Sequence, residues 1–258
     1  MPIHQKLSAD GVLELVIDAP PVNALGIEDL AKLAAVVESV DDRPDVRVVI
    51  LRGEGRGFIG GGDVKEVQRL PGFEGILGQV TGSTALTVGL HDCAVPVIAA
   101  VHRYCIGLGV LVAGASDIVV ADEACTFVLA EVDNGATGGA VQAMGLMPDK
   151  RLRQAMLTCE PVLGRELASY GTVVAVPDEG SVPKEARRLA GVIAAKRPSV
   201  VRAAKKAING SARRDIGPLY RQETALTLEL NMRGDATEAR ETFVSGERRG
   251  YLSRDTSS

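Results

Sequence analysis

The chain predicts an α/β fold with largely parallel, fully buried strands, on three observations. Apolar runs such as Val46–Leu51 and Pro96–Val101 are nearly continuous rather than alternating, the pattern of strands covered on both faces. Each run is followed by a glycine turn, Gly60–Gly62 after the first and Gly107–Gly109 after the second. The order strand, helix, strand, glycine turn, helix then repeats, as stacked β–β–α units require.

Taken in order, Val12–Ile17 is a strand closed by Pro20-Pro21, and Val22-Asn23-Ala24-Leu25 leads into a helix with Leu30, Leu33, Ala34 and Val37 at helical spacing. Asp41-Asp42-Arg43-Pro44 is the loop before the Val46 strand. Gly57-Phe58-Ile59-Gly60-Gly61-Gly62-Asp63 turns the chain, and Asp63 is placed to cap a short helix starting near Val64. Residues 73–90 read as a weak helix softened by Gly75, Gly78, Gly82 and Gly89, either lining a roomy pocket or forming a mobile cover. After the Pro96 strand, Gly107-Leu108-Gly109 opens an apolar helix over Val110 to Gly114, and Asp117–Ala121 and Thr126–Val128 are further strands. Beyond about Asp149 the pattern is almost wholly helical, ending in a helix over 235–245 capped by Asp235, with a polar tail from Leu252.

Bulk composition narrows the function class. The 258 residues suit one large domain, or a core with a C-terminal appendage, and 46% hydrophobic content is ample for a core. Aromatics at 3% without Trp make that core aliphatic. A net charge of −4 gives no electrostatic footprint for nucleic acid. Cys93, Cys105, Cys125 and Cys159 show no CxxC pairing and few nearby His, so they read as reduced, buried thiols rather than a metal site. No apolar run approaches membrane-spanning length and the N-terminus lacks a signal-peptide core, so a soluble, cytoplasmic protein is expected.

Three features point to chemistry. Backbone N–H groups near Gly62 and near Leu108 lie at helix starts without helical partners, and such donors hold an anion or a developing oxyanion. If the two turns adjoin, both donors converge on one oxygen; each is otherwise a plain tight turn. Glu131 sits beyond the Thr126 strand in an apolar stretch, with Asn134-Gly135-Ala136-Thr137-Gly138-Gly139 after it. A carboxylate there is either a general base of raised pKa or a solvated or Arg-paired strand-end charge. Asp117, Asp122 and Glu123 read as turn or strand-edge charges. His91, His102 and Tyr104, near the second turn, read as packing or hydrogen-bonding residues, and no Ser or Cys stands on a nucleophile elbow.

Together, Pro21-Val22-Asn23-Ala24-Leu25, Gly57-Phe58 with Gly61-Gly62-Asp63-Val64-Lys65-Glu66, Pro96–Val101, Gly107-Leu108-Gly109, Ser116–Ala121 and Phe127 through Glu131 resemble the crotonase (enoyl-CoA hydratase/isomerase) superfamily, in order over roughly residues 12 to 250. The resemblance implies a crotonase (ClpP-like) spiral of ββα units over 1–195 and a helical C-terminal trimerisation region over 196–258, assembled as a homotrimer or dimer of trimers. It implies an acyl-CoA thioester substrate, with coenzyme A entering as part of that substrate and no separate cofactor. The thioester oxygen would sit between the N–H groups of Gly62 and Leu108. Gly60, Gly61, Asp63 and Val64 would border the CoA adenine, and Arg248 and Arg249 match family phosphate contacts more loosely.

Departures from the family pattern are informative. Family hydratases carry two glutamates; the first position here is Leu111, and the Pro before the second is Ala130. Glu131 as sole proton carrier suits moving a proton between carbons, as in an enoyl-CoA isomerase, or splitting a β-keto thioester with water. It disfavours hydration by paired carboxylates. Glu54–Phe58, Asp63–Arg69, Gly72-Phe73, Cys93–Pro96 and Leu228–Asn231 are similar to the actinobacterial crotonase branch that hydrolytically opens a steroid-derived ring as its CoA thioester. Ring-opening hydrolysis of a cyclic β-keto acyl-CoA in lipid or steroid catabolism is therefore the expected activity. An isomerase or hydratase, or a CoA-thioester-binding protein without activity, is the alternative.

Overall fold

The computed structural model describes residues 3–211 and 215–246. Its framework is a six-stranded sheet, ordered in space as Ile3–Leu7, Val12–Ile17, Val48–Gly53, Val97–Val101, Ile118–Asp122 and Val174–Val176. The first pair is antiparallel, with Ile3 opposite Ile17, and every later pair is parallel. Continuous apolar runs are explained by cover on both faces. Leu13, Leu15, Val49, Leu51, Val97, Ala99 and Val119 enter the main core. Val12, Val48, Ile50, Ile98, Ala100 and Val120 meet helix Val182–Ala194, whose Val182, Ala186, Ala190 and Ala194 recur every four residues along the buried stripe.

A second, shorter layer crosses this sheet. Thr126–Val128 pairs parallel with Tyr104–Ile106 and antiparallel with Val162–Leu163, while Gly61–Gly62 pairs with Ala24–Leu25. A bridge between Ile59 and Cys105 joins the two pieces. The chain therefore climbs in repeating turns: a long strand, a short strand, then a helix. Helix Ile27–Ser39 ends the first turn, Val64–Arg69 with Glu74–Asp92 the second, and Leu108–Ala115 the third. The fold class expected from the sequence, a spiral of ββα units with helices at the C-terminal end, is the one observed.

Helices Pro198–Ser211, Ile216–Arg233 and Asp235–Val244 complete the described chain. Lys205 ties the first of them to the core: its buried ammonium donates to Asp117 Oδ2 at 2.7 Å and to the carbonyls of Val95 and Leu90 at 3.1 and 3.3 Å. Helix Ile216–Arg233 packs against Glu74–Asp92 and the one-turn helix Ala140–Ala143.

Several element assignments need correction. Ile3–Leu7 is an edge strand that the mostly polar run Ile-His-Gln-Lys-Leu hides, because only Ile3 is buried. The region beyond Asp149, read as almost wholly helical, also holds two short strands: the runs at Val162 and Val174 complete the two sheets at their edges. Residues 74–92 form one regular helix rather than a softened one. A methyl at Gly78 would come 2.6 Å from Ile27 Cδ1 and one at Gly82 2.8 Å from Leu30 Cβ. These glycines let two helices touch; they do not loosen the segment. The last helix is preceded by Gly234 at φ +91°, so Asp235 is its first residue instead of its cap.

Candidate active site

The short layer brings the two glycine turns side by side. Phe58 N–H donates to Tyr104 O at 3.1 Å and Ile106 N–H to Ile59 O at 2.9 Å, so the segments run in parallel. Gly107 N–H reaches the next strand at Val128 O, 2.8 Å away. Gly107 turns the chain at φ +51°, ψ −115°, a conformation suited to glycine, and a Cβ there would lie 3.9 Å from Gly61 Cα.

A helix begins at or just beyond each turn. Leu108 opens helix Leu108–Ala115, and its N–H belongs to the first turn that a helix leaves without intrahelical acceptors. Asp63 N–H donates to Leu25 O at 2.9 Å and Gly60 N–H to Asn23 O at 3.3 Å, so main-chain bonds hold the intervening Gly61–Gly62 pair beside Ala24–Leu25. Asp63 caps helix Val64–Arg69, its Oδ1 accepting from Glu66 N–H at 3.0 Å, and Glu66 Oε2 accepts from Ile27 N–H at 2.8 Å. Local hydrogen bonding thus fixes the first turn from both ends.

Glu131 lies over the second turn, three residues beyond strand Thr126–Val128. A Cβ on Gly107 would stand 3.2 Å from its Oε1, and its Oε2 is buried with no hydrogen-bond partner among the described residues. Burial pushes the carboxyl up to about 8, and the nearby charge of Glu223 adds to the rise. Its main chain is anchored, with Glu131 O accepting from Asn134 N–H at 2.9 Å and Ala136 N–H at 2.8 Å.

Glu223, which sequence reasoning missed, secures the loop beyond. Its Oε2 accepts from Gly139 and Ala140 N–H at 2.8 and 3.1 Å, and its Oε1 from Val141 N–H at 2.9 Å. One turn along the same helix, Thr227 Oγ1 accepts from Thr137 N–H at 3.0 Å. Burial raises the Glu223 pKa while these three bonds draw it down. No local motif announces this residue, because its partners lie more than eighty positions earlier.

Gly60, Gly61, Gly62, Asp63, Val64, Leu108 and Glu131 all line one cavity of about 720 Å³. Leu111 lines it too, its Cδ1 2.6 Å from where a Gly139 Cβ would lie, so an aliphatic group fills that wall. Helix Glu74–Asp92 contributes Ile76, Gln79, Val80 and Ser83, in line with the pocket-lining alternative read from the sequence for this segment, and the C-terminal helices contribute Tyr220, Arg240 and Phe243, which the sequence did not single out. Arg240 donates to Gln68 Oε1 at 3.2 Å. Arg248 and Arg249 lie outside the described residues. His91, His102 and Tyr104 do not line the cavity. His102 bonds Gly55 O at 3.1 Å, His91 pairs with Asp92 at 2.8 Å, and the Tyr104 ring packs against Gly57. Asp117 and Asp122 serve the framework, accepting from Val97 and Arg103 N–H.

Among the described residues no group of three or more His, Cys, Asp or Glu is arranged to hold a metal, and no helix is long and apolar enough to cross a membrane. The four cysteines are free and buried.

The family model described as "Enoyl-CoA hydratase/isomerase" matches residues 8–250. A protein of Mycobacterium tuberculosis (strain ATCC 25618 / H37Rv) named (7aS)-7a-methyl-1,5-dioxo-2,3,5,6,7,7a-hexahydro-1H-indene-carboxyl-CoA hydrolase is 40% identical over 244 residues, covering 95% of this chain and 99% of that protein. The protein of the same name from Rhodococcus jostii (strain RHA1) is 38% identical over 244 residues, covering 95% of each. A crystal structure of an enoyl-CoA hydratase from Mycobacterium avium subsp. paratuberculosis K-10 superposes with a TM-score of 0.83 at 24% identity, covering 93% of this chain and 98% of that one.

Proposed function

This chain belongs to the enoyl-CoA hydratase/isomerase family, whose members act on acyl-CoA thioesters, and from that premise we propose that it hydrolytically opens the ring of a cyclic β-keto acyl-CoA. Glu131 is the acid–base group, and the N–H groups of Gly62 and Leu108 form the oxyanion hole. Gly60, Gly61, Asp63 and Val64 border the coenzyme A moiety at the same cavity.

The steps balance with water and the thioester alone. Glu131 takes a proton from water, and the hydroxide adds to the ring ketone carbon, whose π electrons move to oxygen. The alkoxide collapses to a carboxylic acid and breaks the bond to the carbon beside the thioester. That electron pair enters the thioester carbonyl as an enolate, which the two amide donors stabilise. Protonated Glu131 then returns its proton to the same carbon. Losing one such oxyanion donor typically costs roughly 2.7–4 kcal/mol of transition-state stabilisation.

The observation that carries this reading is Glu131: a carboxyl whose buried Oε2 has no partner among the described residues, poised near neutral pH, set over the paired turns with Leu111 where a second acid would stand. A single base fits water-driven cleavage with enolate return. The two relatives near 40% identity are named as CoA hydrolases of a dioxo-indene acyl group, which supports a bulky bicyclic keto substrate and a place in steroid catabolism. We also propose that the enzyme works in the cytoplasm, which four free, buried cysteines support, and as a homotrimer or dimer of trimers, to be checked by light scattering.

Incubation with a panel of cyclic β-keto acyl-CoA thioesters in isotopically heavy water, read by mass spectrometry, tests the reaction. The expected product gains one water, with the heavy oxygen in a new carboxylate. Interconversion of enoyl-CoA isomers with no ring opening would establish an isomerase instead. Tight binding with no turnover of any thioester would leave only a binding protein.

A further inference from the structure

The mechanism above creates negative charge on two oxygens, and the glycine turns serve only one of them. When hydroxide adds to the ring ketone, the ketone oxygen becomes an alkoxide, and a buried alkoxide needs its own donor. Gln79 is placed to supply it. It projects from helix Glu74–Asp92 into the cavity, and its Nε2 rests directly on Gly62, where an added Cβ would come within 2.1 Å. Behind Nε2, the amide Oε1 is buried with no hydrogen-bond partner among the described residues. Oε1 is an acceptor shut away from the cavity, so Nε2, a donor with no hydrogen-bond partner among the described residues, is the end of the carboxamide left to meet a ligand.

Its surroundings give the ligand's chemistry. Ser83, one helical turn further along the same face, accepts from Tyr220 O–H at 3.3 Å. The remaining wall is aliphatic at Ile76, Val80 and Leu111. The two hydroxyls satisfy each other, with Ser83 in turn donating to Val80 O at 3.2 Å, so a purely hydrocarbon acyl chain would leave only the Gln79 carboxamide facing apolar carbon. An acyl ring bearing a ketone one carbon from the thioester carbonyl places its second oxygen a few ångström from the first, and Gln79 Nε2 stands beside Gly62, where the first is proposed to lie.

Building on the proposed ring-opening reaction, we propose that Gln79 Nε2 donates a hydrogen bond to the ring ketone oxygen of the substrate, polarising it for attack and holding the alkoxide that follows. Gln79 is then the residue that makes the site selective for keto-acyl over simple enoyl or saturated thioesters.

Gln79→Met keeps the length of the side chain and removes the donor. Its ring-opening kcat should fall about 10²-fold. Exchange of the Cα proton with deuterated water on a thioester lacking the ketone, which calls only on Glu131 and the two backbone donors, should change less than about twofold. Unchanged ring opening overturns the proposal, and so does equal loss of opening and exchange, which would make Gln79 merely structural. Binding separates this proposal from the reaction it builds on. In the Glu131→Gln background, calorimetry should show the keto thioester bound about tenfold more tightly than its deoxo counterpart, a preference that Gln79→Met abolishes. Persistence of that preference in Gln79→Met overturns the role of Gln79 even if the wild-type enzyme opens rings. If the wild type opens none, the hydrolase reading falls, and the same binding comparison still decides for or against Gln79.

Discussion

Glu131 Oε1 and Gly107 are packed so closely that a methyl group on the glycine would stand 3.2 Å from the carboxyl oxygen. The residue that turns the chain beneath the site therefore also sets the height of the proposed acid above it.

Gly107→Ala strains the chain twice, through φ +51° with ψ −115° and through contact with Glu131. The backbone conformation alone should cost roughly 1–3 kcal/mol of stability, read from chemical denaturation. Displacing the carboxyl should lower kcat about 10²-fold even in the folded fraction.

The carboxyl raised to about 8 gives two pH signatures. As a base it must be ionised to activate water, so kcat/KM should rise tenfold per pH unit below that value and level off above it. The stability signature has the opposite sense. Between the ordinary value of 4.5 and 8 the folded chain keeps a proton that the unfolded chain has lost. The stabilisation is complete below the lower value and is lost as pH rises through the upper. Glu131→Gln should therefore melt progressively higher relative to wild type between about pH 5 and 9, while losing at least about 10³ in kcat. A pH–rate profile with no limb near 8 would remove Glu131 from the base role.

Leu111 supplies no proton, so the wild-type enzyme should hydrate crotonyl-CoA at least about 10²-fold more slowly than it opens a keto ring. The loss of the enoyl absorbance band measures this directly, and rapid hydration would mean that another group replaces the missing acid.

Glu223→Ala removes the acceptor of three backbone N–H groups in the loop beside the base. The expected loss is roughly 2–4 kcal/mol of stability. Glu223→Gln is the gentler probe: with the neighbouring negative charge gone, the rising limb of the pH–rate profile should move to lower pH.

How much of this was legible beforehand follows the range of the interactions. Asp63 could be recognised as a cap because its partner, Glu66, is three residues away. The two turns and Glu131 could be picked out one at a time, since glycines after apolar runs and a carboxylate in an apolar stretch are local signals. Their convergence rests on the Ile59–Cys105 bridge, which nothing local specifies. Gln79, Glu223 and Arg240 stayed hidden for the same reason, their significance coming from segments far along the chain. Isolated-helix propensity counts the flexibility of the glycines of 74–92 and so reads a softened helix, whereas here packing against Ile27 and Leu30 decides. The short runs at Val162 and Val174 lacked length, and only neighbouring strands with open edges made them extended.

Helix Ile216–Arg233 carries Glu223 and Thr227 toward the loop after Glu131, and Tyr220 toward the acyl end of the cavity. Altering it to admit larger or smaller rings will disturb the proton-transfer apparatus in the same stroke. The facing wall, Glu74–Asp92, has no hydrogen bond to that loop among its cavity-lining residues at Ile76, Gln79 and Val80. Anyone retuning substrate range should begin there at Ile76 and Val80, keeping Gln79, where fit can be varied with the reaction rate left standing.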